Sequence, residues 1–262
     1  MTKRYDIIWL DKTDSTNEEA KRHISTLDNL SVLSASEQTS GKGQRGNSWS
    51  AAPGENLTFS IVLKYGHGPM PEIRAIDQFV ISEITALSVV DLLAAHGIEA
   101  KIKWPNDIYV DDCKICGILI ENSVRDGILA SSIIGVGLNV NQTVFDPSLP
   151  NPTSMALQKT GSSQPFLGDS EDLKTIMEEF MEIFTRYIDR YLNITGGMSR
   201  LRKLYLSQMW RKDVPARYID NTDGHEFEGS IRGLSDIGLL KVEDIRKGEL
   251  KEFAFKEISY II

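Results

Sequence analysis

A glycine-rich stretch at residues 36–49 carries the residue types best suited to hold an anionic ligand. Its centre alternates three glycines with two cations and an amide, in the order Gly41, Lys42, Gly43, Gln44, Arg45 and Gly46. Glycines let main-chain N–H groups approach a ligand closely, and lysine and arginine pair with phosphate or carboxylate oxygens. The run ends at Trp49, whose flat indole can stack on a base. A plain mobile surface loop is the alternative, since the spacing matches neither a Walker loop nor a dinucleotide-binding motif.

A second candidate is Lys103, within the run Lys-Ile-Lys-Trp-Pro-Asn-Asp at residues 101–107. Alternation along a strand predicts that Lys103 points to the face opposite Ile102 and Trp104. A lysine on the inner face of a sheet is costly to bury without an anion, which favours a ligand-binding role. The alternative is that Lys103 lies on a solvent-facing surface of the strand, as Lys101 equally could.

Small polar residues mark the start of a predicted helix. Ser15, Thr16 and Asn17 precede Glu18, and Glu18 stands three residues after Ser15, which predicts a capping box. A helix N-terminus presents unpaired N–H groups and positive potential. The triplet can therefore act as a simple helix cap, as a contact for a small urea-like head group, or as both.

These motifs together resemble the biotin protein ligase family, as does the Gly-Val-Gly-Leu-Asn run at residues 135–139. The resemblance covers nearly the whole chain. It implies a two-step reaction in which biotin and ATP form biotinyl-5′-AMP and pyrophosphate. The biotinyl group then passes to a lysine of a biotin carboxyl carrier protein of a biotin-dependent carboxylase. Biotin would be the substrate, and the reaction would also need ATP and Mg²⁺. No protein ligands are assigned to the metal ion.

The resemblance also implies roles for individual residues. Lys103, between the biotin carboxylate and the α-phosphate, and Arg45 would be catalytic. Biotin would contact Ser15, Thr16, Asn17, Gln38, Gly41, Lys42, Gly43, Gln44 and Lys103. ATP would contact Lys42, Arg45, Trp49, Lys103 and Asn139, with Trp49 stacked on adenine and Asn139 hydrogen-bonded to its edge. Trp49 is equally open to a role as a hydrophobic plug that folds the loop onto the core.

Gln44 departs from the family pattern, because relatives usually carry arginine at this position. A neutral amide brings hydrogen bonds but no charge to the phosphate. We therefore expect Arg45 to supply the missing charge.

Two other functions compete with biotin ligation. A lipoate ligase shares the chemistry and the fold but usually lacks the Lys-Trp-Pro-Asn-Asp run. A non-enzymatic binding or adaptor protein would use the C-terminal region and a degenerate glycine loop. No counterpart of the family's DNA-binding helix-turn-helix fits before the first predicted strand, so no DNA partner is expected. A homodimer is left open, with the strand at residues 133–140 as a pairing edge.

Composition predicts a soluble globular protein of the cytoplasm. The 262 residues include 29 basic and 37 acidic ones, a net charge of −8 that argues against generic nucleic-acid affinity. No apolar run of about 18 residues and no signal-peptide core occur, so no membrane partner is expected. The motif formed by Cys113 and Cys116 lies in a predicted turn that enters a strand, which favours packing over redox chemistry.

The predicted fold class is α+β, with a mixed, largely antiparallel sheet flanked by helices. Successive strands without intervening helices argue for this sheet and against a Rossmann sheet. Strands are predicted at residues 5–10, 30–37, 56–64, 98–104, 108–110, 115–121 and 129–140. Helices are predicted at residues 15–26, 75–96, 169–192 and 199–211, with Gly97 ending the second and Ser199 capping the last; residues 147–168 are a loop with a helical turn near Ser154. From Val214 onward, short strands between turn signals predict a small SH3-like β-barrel, which gives a catalytic domain at 1–212 and a C-terminal domain at 213–262.

Overall fold

The structure is a computed structural model that describes residues 4–66, 70–159 and 171–261, and of Arg45 the backbone alone. Residues 160–170, which hold the end of the predicted loop and the first two residues of the predicted third helix, lie outside these ranges. The elements follow in the order β1 (Ile7–Thr13), α1 (Thr16–Arg22), β2 (Val32–Gln38), β3 (Leu57–Lys64), α2 (Phe79–Ala95), β4 (Lys101–Lys103), β5 (Asp107–Val110), β6 (Cys113–Arg125), β7 (Ile128–Leu138), α3 (Met155–Lys159), α4 (Leu173–Tyr191), α5 (Gly197–Ser207), β8 (Pro215–Asp220), β9 (His225–Leu234), β10 (Leu240–Asp244), β11 (Glu249–Phe253) and β12 (Ile258–Tyr260).

The first seven strands form one mixed sheet in the order β1-β2-β3-β7-β6-β5-β4. Strands β1 and β2 run parallel, and every other neighbouring pair is antiparallel, which confirms the predicted mixed, largely antiparallel sheet. Strand β7 lies inside the sheet and is hydrogen-bonded to β3 and β6 on its two sides. The prediction that residues 133–140 offer a dimer edge is therefore wrong, because their backbone groups are already paired.

The period of two along each strand separates the two faces of this sheet. Ile61 and Ile134 are partners in the ladder and belong to the large core shared with α2 and α4. The next pair, Ser60 and Gly135, points to the opposite face. Helix α1 packs on that second face, against β2, β3 and β7. One face thus packs on the large hydrophobic core, and the other carries polar groups and glycines beside a small hydrophobic cluster under α1, formed by Ala20, Leu33, Val62 and Ile133.

Helix α2 is buried in the core on nearly every side. A 3₁₀ turn at Ala75–Asp77 precedes it, and Gly97, with a φ of +75°, follows it and ends it as predicted. The stretch Ala75–Ala95 is long and apolar enough by composition to cross a membrane, but 67% of its most apolar window is buried inside the protein, as expected of a core helix.

Several predicted element ends differ in the structure; helix α1, for example, ends at Arg22 rather than at 26, and α5 ends at Ser207 rather than at 211. Helix α5 begins at Gly197 after Gly196, whose φ is +71°, so the predicted cap at Ser199 is wrong and Ser199 lies within the helix. The predicted strand at 98–104 is reduced to Lys101–Lys103. It ends there because Pro105 has no N–H for the ladder.

The C-terminal residues form a second sheet, fully antiparallel, in the order β11-β10-β9-β8-β12. Side chains of the first part of the chain fix the turn before β10. The indole N–H of Trp104 donates to the carbonyl of Gly238 at 3.0 Å, and Arg202 donates to the carbonyl of Ser235 at 2.6 Å. Arg202 is itself paired with Glu83, which is buried in α2. These contacts attach the second sheet to the first part of the chain.

Candidate active site

The start of α1 walls a small cavity of about 50 Å³ on the polar face of the sheet. The predicted triplet at residues 15–17 lies here and is almost fully buried. The backbone N–H of Thr16 donates to Oε1 of Gln38 at 2.8 Å. The Oδ1 of Asn17 accepts a 2.6 Å hydrogen bond from the Ser60 hydroxyl of β3. The structure therefore brings the triplet and Gln38 together in one hydrogen-bonding pocket.

The predicted capping box at Ser15 and Glu18 is wrong. Ser15 is the N-cap residue, but its side chain makes no capping hydrogen bond. Its backbone N–H donates instead to Oδ1 of Asp14 at 2.7 Å. Glu18 turns to two cations, Lys21 at 2.8 Å and Lys42 at 2.6 Å, and hydrogen bonds from Lys21 and then Lys42 lower the pKa of Glu18. An ionised Glu18 thus tethers the lysine of the glycine loop to α1.

The glycine-rich loop closes over the small cavity. The N–H of Trp49 donates to the carbonyl of Gly41 at 2.9 Å, and a 3₁₀ turn spans Gln44–Gly46. A Cβ on Gly41 would lie 2.4 Å from the carbonyl oxygen of Trp49, so this close approach requires glycine. Loop residues 42–44 line the small cavity. The side chain of Arg45 lies outside the described part of the chain, and its role stays a prediction.

Three glycines form the floor of the site, and we call Gly117, Gly135 and Gly137 the glycine floor. Trp49 lies on two of them, because a Cβ on Gly117 or Gly137 would be 2.9 or 2.3 Å from atoms of its indole ring. A Cβ on Gly135 would lie 2.4 Å from Oδ1 of Asn17. The indole N–H is buried with no hydrogen-bond partner in the described ranges. Trp49 thus occupies the position of a plug, and its stacking on adenine stays a prediction.

A larger cavity of about 630 Å³ adjoins the small one. Its far wall comes from the end of the chain, at Phe255, Ile258, Ser259 and Tyr260. Five residues line both cavities, and we call them the neck: Gly43, Gln44, Trp49, Asn106 and Lys114. The site therefore consists of a small polar pocket, a narrow neck and a roomy second chamber.

Lys103 lines the larger cavity, whereas Ile102 is fully buried in the core, as the alternation predicts. Trp104 belongs to the same buried core as Ile102, as predicted, and it also lines the cavity. The ammonium of Lys103 lies 4.9 Å from the ring centre of Tyr109 and 4.8 Å from that of Tyr260. Aromatic faces attract a cation, so the two rings hold this charge at the cavity wall.

Sequence reasoning missed Lys114, whose ammonium lies 2.7 Å from Oδ1 of Asp107 and 5.6 Å from the ring centre of Trp49. Simple alternation would put Lys114 on the same face as Cys116, which is buried in the core. A β-bulge intervenes, since Cys116 pairs with Ile108 but Lys114 pairs with Tyr109. The bulge is what turns Lys114 toward the site.

Asn139 follows directly after β7 and lines the larger cavity at 4% exposure. Its Nδ2 donates to the carbonyl of Thr153 at 2.9 Å. Its Oδ1 is buried without a hydrogen-bond partner in the described part of the chain. Asn139 therefore offers chiefly an acceptor to a ligand, which complements an amino group such as that of adenine.

The two cysteines are free thiols. The strand β6 begins at Cys113, as the predicted turn requires, and burial raises the pKa of both Cys113 and Cys116. Protonated thiols are poor nucleophiles, which agrees with a packing role. Within residues 4–66, 70–159 and 171–261, no group of three or more His, Cys, Asp or Glu side chains is arranged to hold a metal ion.

Comparisons with known proteins place the chain among biotin and lipoate ligases. Residues 9–139 match the model of the biotin/lipoate A/B protein ligase family. The bifunctional ligase/repressor BirA of Escherichia coli is 32% identical over 252 residues, which cover 94% of this chain and 71% of BirA. The biotin–[acetyl-CoA-carboxylase] ligase of Paracoccus denitrificans is 29% identical, covering 88% of this chain and 91% of that protein.

A solved structure shares the fold. The biotin protein ligase of Aquifex aeolicus, in complex with biotin and ATP, superposes with a TM-score of 0.75 at 23% identity and covers 97% of both chains. The family match and the identity to BirA confirm the resemblance drawn from the motifs. The chain belongs to the biotin/lipoate A/B protein ligase family, and the relatives it matches are biotin protein ligases.

Proposed function

We propose that this chain is a biotin protein ligase that attaches biotin to a lysine of a biotin carboxyl carrier protein through biotinyl-5′-AMP. The observation that carries this proposal is the neck between the two cavities. A small hydrogen-bonding pocket opens over a glycine floor into a larger chamber; one lysine, Lys114, lines both, and Lys42 and Lys103 each line one of them. Such a site suits two anionic molecules that must react end to end.

The small pocket would take the ureido head of biotin. A ureido group has two N–H donors and one carbonyl acceptor, and the pocket presents matching groups on Ser15, Thr16, Asn17 and Gln38. The apolar rings and tail would lie along the glycine floor, because the missing side chains leave room there. Displacement of Trp49 from the floor would admit the tail, and the indole would then cover it.

The larger cavity would take ATP. The free acceptor of Asn139 suits the adenine amino group, and Lys103 lies on the same wall. In the first step a biotin carboxylate oxygen attacks the α-phosphorus. The bond from that phosphorus to the bridging oxygen breaks, and the electron pair leaves with pyrophosphate. In the second step the acceptor amine attacks the acyl carbon, AMP leaves, and the amine loses a proton to solvent.

The protein contributes position and charge to both steps. Bringing two anions together is costly in water, and fixed ammonium groups lower that cost at the moment when charge develops. Lys42 and Arg45 of the glycine loop would close over the mixed anhydride and keep water from it. For that, Lys42 must leave Glu18, with which it pairs in this structure.

Mg²⁺ would travel with the ATP phosphates. Asp107 is the acidic side chain among the described residues that line the larger cavity. One carboxylate beside phosphates and water is an ordinary environment for Mg²⁺, which needs few protein ligands.

We extend the proposal to organisation and partners. Residues 1–212 would form the catalytic domain, and 213–262 an SH3-like β-barrel, which the separate antiparallel sheet supports. The net charge of −8 supports a chain without a DNA partner. A homodimer would have to use a surface other than β7, such as the sheet edge at β1, because the backbone of Ile102 in β4 is already hydrogen-bonded to Gln208 and Trp210.

The test is pyrophosphate release from ATP with biotin, with lipoate, and with neither. We expect release with biotin, and transfer of label to a carrier domain added afterwards. Release with lipoate alone would favour the lipoate ligase. Absence of release with either acid would favour a binding or adaptor protein.

A further inference from the structure

Glu121 lies behind the wall of the small cavity, in contact with Asn17, which lines that cavity. One carboxylate oxygen accepts from Nδ2 of Asn17 at 2.8 Å, and the other accepts from the ammonium of Lys21 at 2.7 Å. A carboxylate paired with an ammonium accepts hydrogen bonds and donates none. The NH₂ end of the Asn17 amide must therefore point to Glu121, and its oxygen must point the other way.

The amide oxygen of Asn17 lies over the glycine floor. A Cβ on Gly135 would be 2.4 Å from this Oδ1, and Gly135 lines the small cavity. The carbonyl of Leu119 accepts from Nδ2 at the longer distance of 3.4 Å, which favours the same orientation more weakly. In this orientation Asn17 presents an acceptor, rather than a donor, to the small cavity.

The hydrogen bonds inside the pocket would allow the opposite orientation as well. The single hydroxyl proton of Ser60 lies within reach of two oxygens, Oδ1 of Asn17 at 2.6 Å and Oγ1 of Thr16 at 2.8 Å. The Thr16 hydroxyl donates to Oε1 of Gln38 at 3.1 Å, so its oxygen remains able to accept. With the Asn17 amide turned over, Nδ2 would donate to Ser60, and Ser60 would donate to Thr16. The choice between the two arrangements is therefore made on the other side of Asn17, where Glu121 lies.

We propose that Glu121 is a positioning residue, which holds the Asn17 amide so that the pocket offers an acceptor to a ureido N–H of the ligand. The role rests on the proposed function, and Glu121 acts only through Asn17. A glutamine at position 121 would have one oxygen for two donors. The ammonium of Lys21 makes the stronger, charge-assisted bond and would take that oxygen. The glutamine NH₂ group would then face Asn17 and turn its amide over.

The test compares biotin with its two cyclic carbamate analogues, in each of which one ureido N–H is replaced by a ring oxygen. Each ligand is titrated calorimetrically without nucleotide. Wild-type protein is expected to bind biotin about 10- to 100-fold more tightly than the carbamate whose oxygen faces Asn17, because two acceptors then meet. Glu121→Gln is expected to reduce this preference about 10-fold, since biotin binds more weakly and that carbamate binds more tightly.

Two further variants serve as control and as rescue. Glu243→Gln is the matched control and should keep the wild-type preference. Glu243 is 36% exposed against 33% for Glu121, and it accepts from Arg232 at 2.7 Å. Arg232 also pairs with a second acid, as Lys21 does, so neither cation is left unpaired by the change. Lys21→Met, added to Glu121→Gln, frees the glutamine oxygen for Asn17 and should restore part of the preference.

The outcomes separate the possibilities. An unchanged preference in Glu121→Gln would overturn the proposal, as would an equal loss for biotin and both carbamates, which indicates a structural role. A double variant with Lys21→Met that recovers none of the preference would also overturn it. Wild-type protein that binds both carbamates as tightly as biotin would show that Asn17 offers the ligand no acceptor. Wild-type protein that does not bind biotin would contradict the proposed function, and this role with it.

Discussion

A single methyl group at Gly135 should disable the head-group pocket. The backbone of Gly135 permits alanine, so the cost lies in the contact. The new Cβ would lie 2.4 Å from Oδ1 of Asn17, well inside contact distance. Asn17 must then move and give up its 2.6 Å hydrogen bond from Ser60 and its 2.8 Å hydrogen bond to the Glu121 carboxylate. The loss of one neutral and one charge-assisted hydrogen bond amounts to about 3 kcal/mol. If biotin binds only when Asn17 returns to its place, this free energy is taken from binding, and the affinity for biotin falls roughly 10²-fold.

The assay is the dissociation constant of biotin for Gly135→Ala, beside that of ATP and the melting temperature. We expect weaker biotin binding, unchanged ATP binding and a modest loss of stability. Asn17→Ala and the double variant complete a double-mutant cycle. The losses of biotin affinity in the two single variants should not add in the double variant, because the alanine at position 135 acts by displacing Asn17. Biotin binding equal to wild type in Gly135→Ala, or fully additive losses, would refute this reasoning.

Three further predictions concern charge. Lys103→Ala should slow pyrophosphate release about 10²-fold in a single-turnover assay while biotin still binds; a wild-type rate would remove Lys103 from catalysis. Burial raises the pKa of Glu83 to about 7 against the opposing charge of Arg202, so the folded protein holds a proton that the unfolded chain releases near pH 4.5. The unfolding free energy of the protein should therefore fall as the pH rises from 4.5 to 7, by at most about 3 kcal/mol. Glu83→Gln should remove this pH dependence in denaturant titrations; equal pH dependence in the variant and the wild type would contradict the assignment. Gln44→Arg should reduce the escape of biotinyl-AMP, seen as less labelling of bystander lysines, and Arg45→Ala should increase that labelling. If Arg45→Ala retains biotinyl-AMP as long as wild type while Gln44→Ala releases it, Gln44 rather than Arg45 holds the intermediate.

Local patterns were enough to predict most of the elements. The alternation at residues 56–64 predicts β3, and the structure has it at Leu57–Lys64. The helical spacing of apolar residues at 75–96 and the glycine at position 97 predict α2 and its end. Both signals depend only on residues close together in sequence. The motifs also predicted that the triplet at 15–17, Gln38, the glycine loop and Lys103 serve one site, and the structure brings the triplet, Gln38, loop residues 42–44 and Lys103 to two adjoining cavities.

The sequence by itself determined most of the helices and strands, and it predicted which residues could carry chemistry. Only the tertiary structure decided which of these side chains lie close together. Lys114 faces the site because of a bulge whose register is set by pairing with β5, and Tyr260 reaches Lys103 from the end of the chain. Glu18 binds Lys42 rather than its own helix start because the glycine loop folds back over α1. The contacts of Tyr260 with Lys103 and of Glu18 with Lys42 join segments far apart in sequence, and the bulge at Lys114 depends on the register of two paired strands, so all three depend on packing that no local pattern encodes.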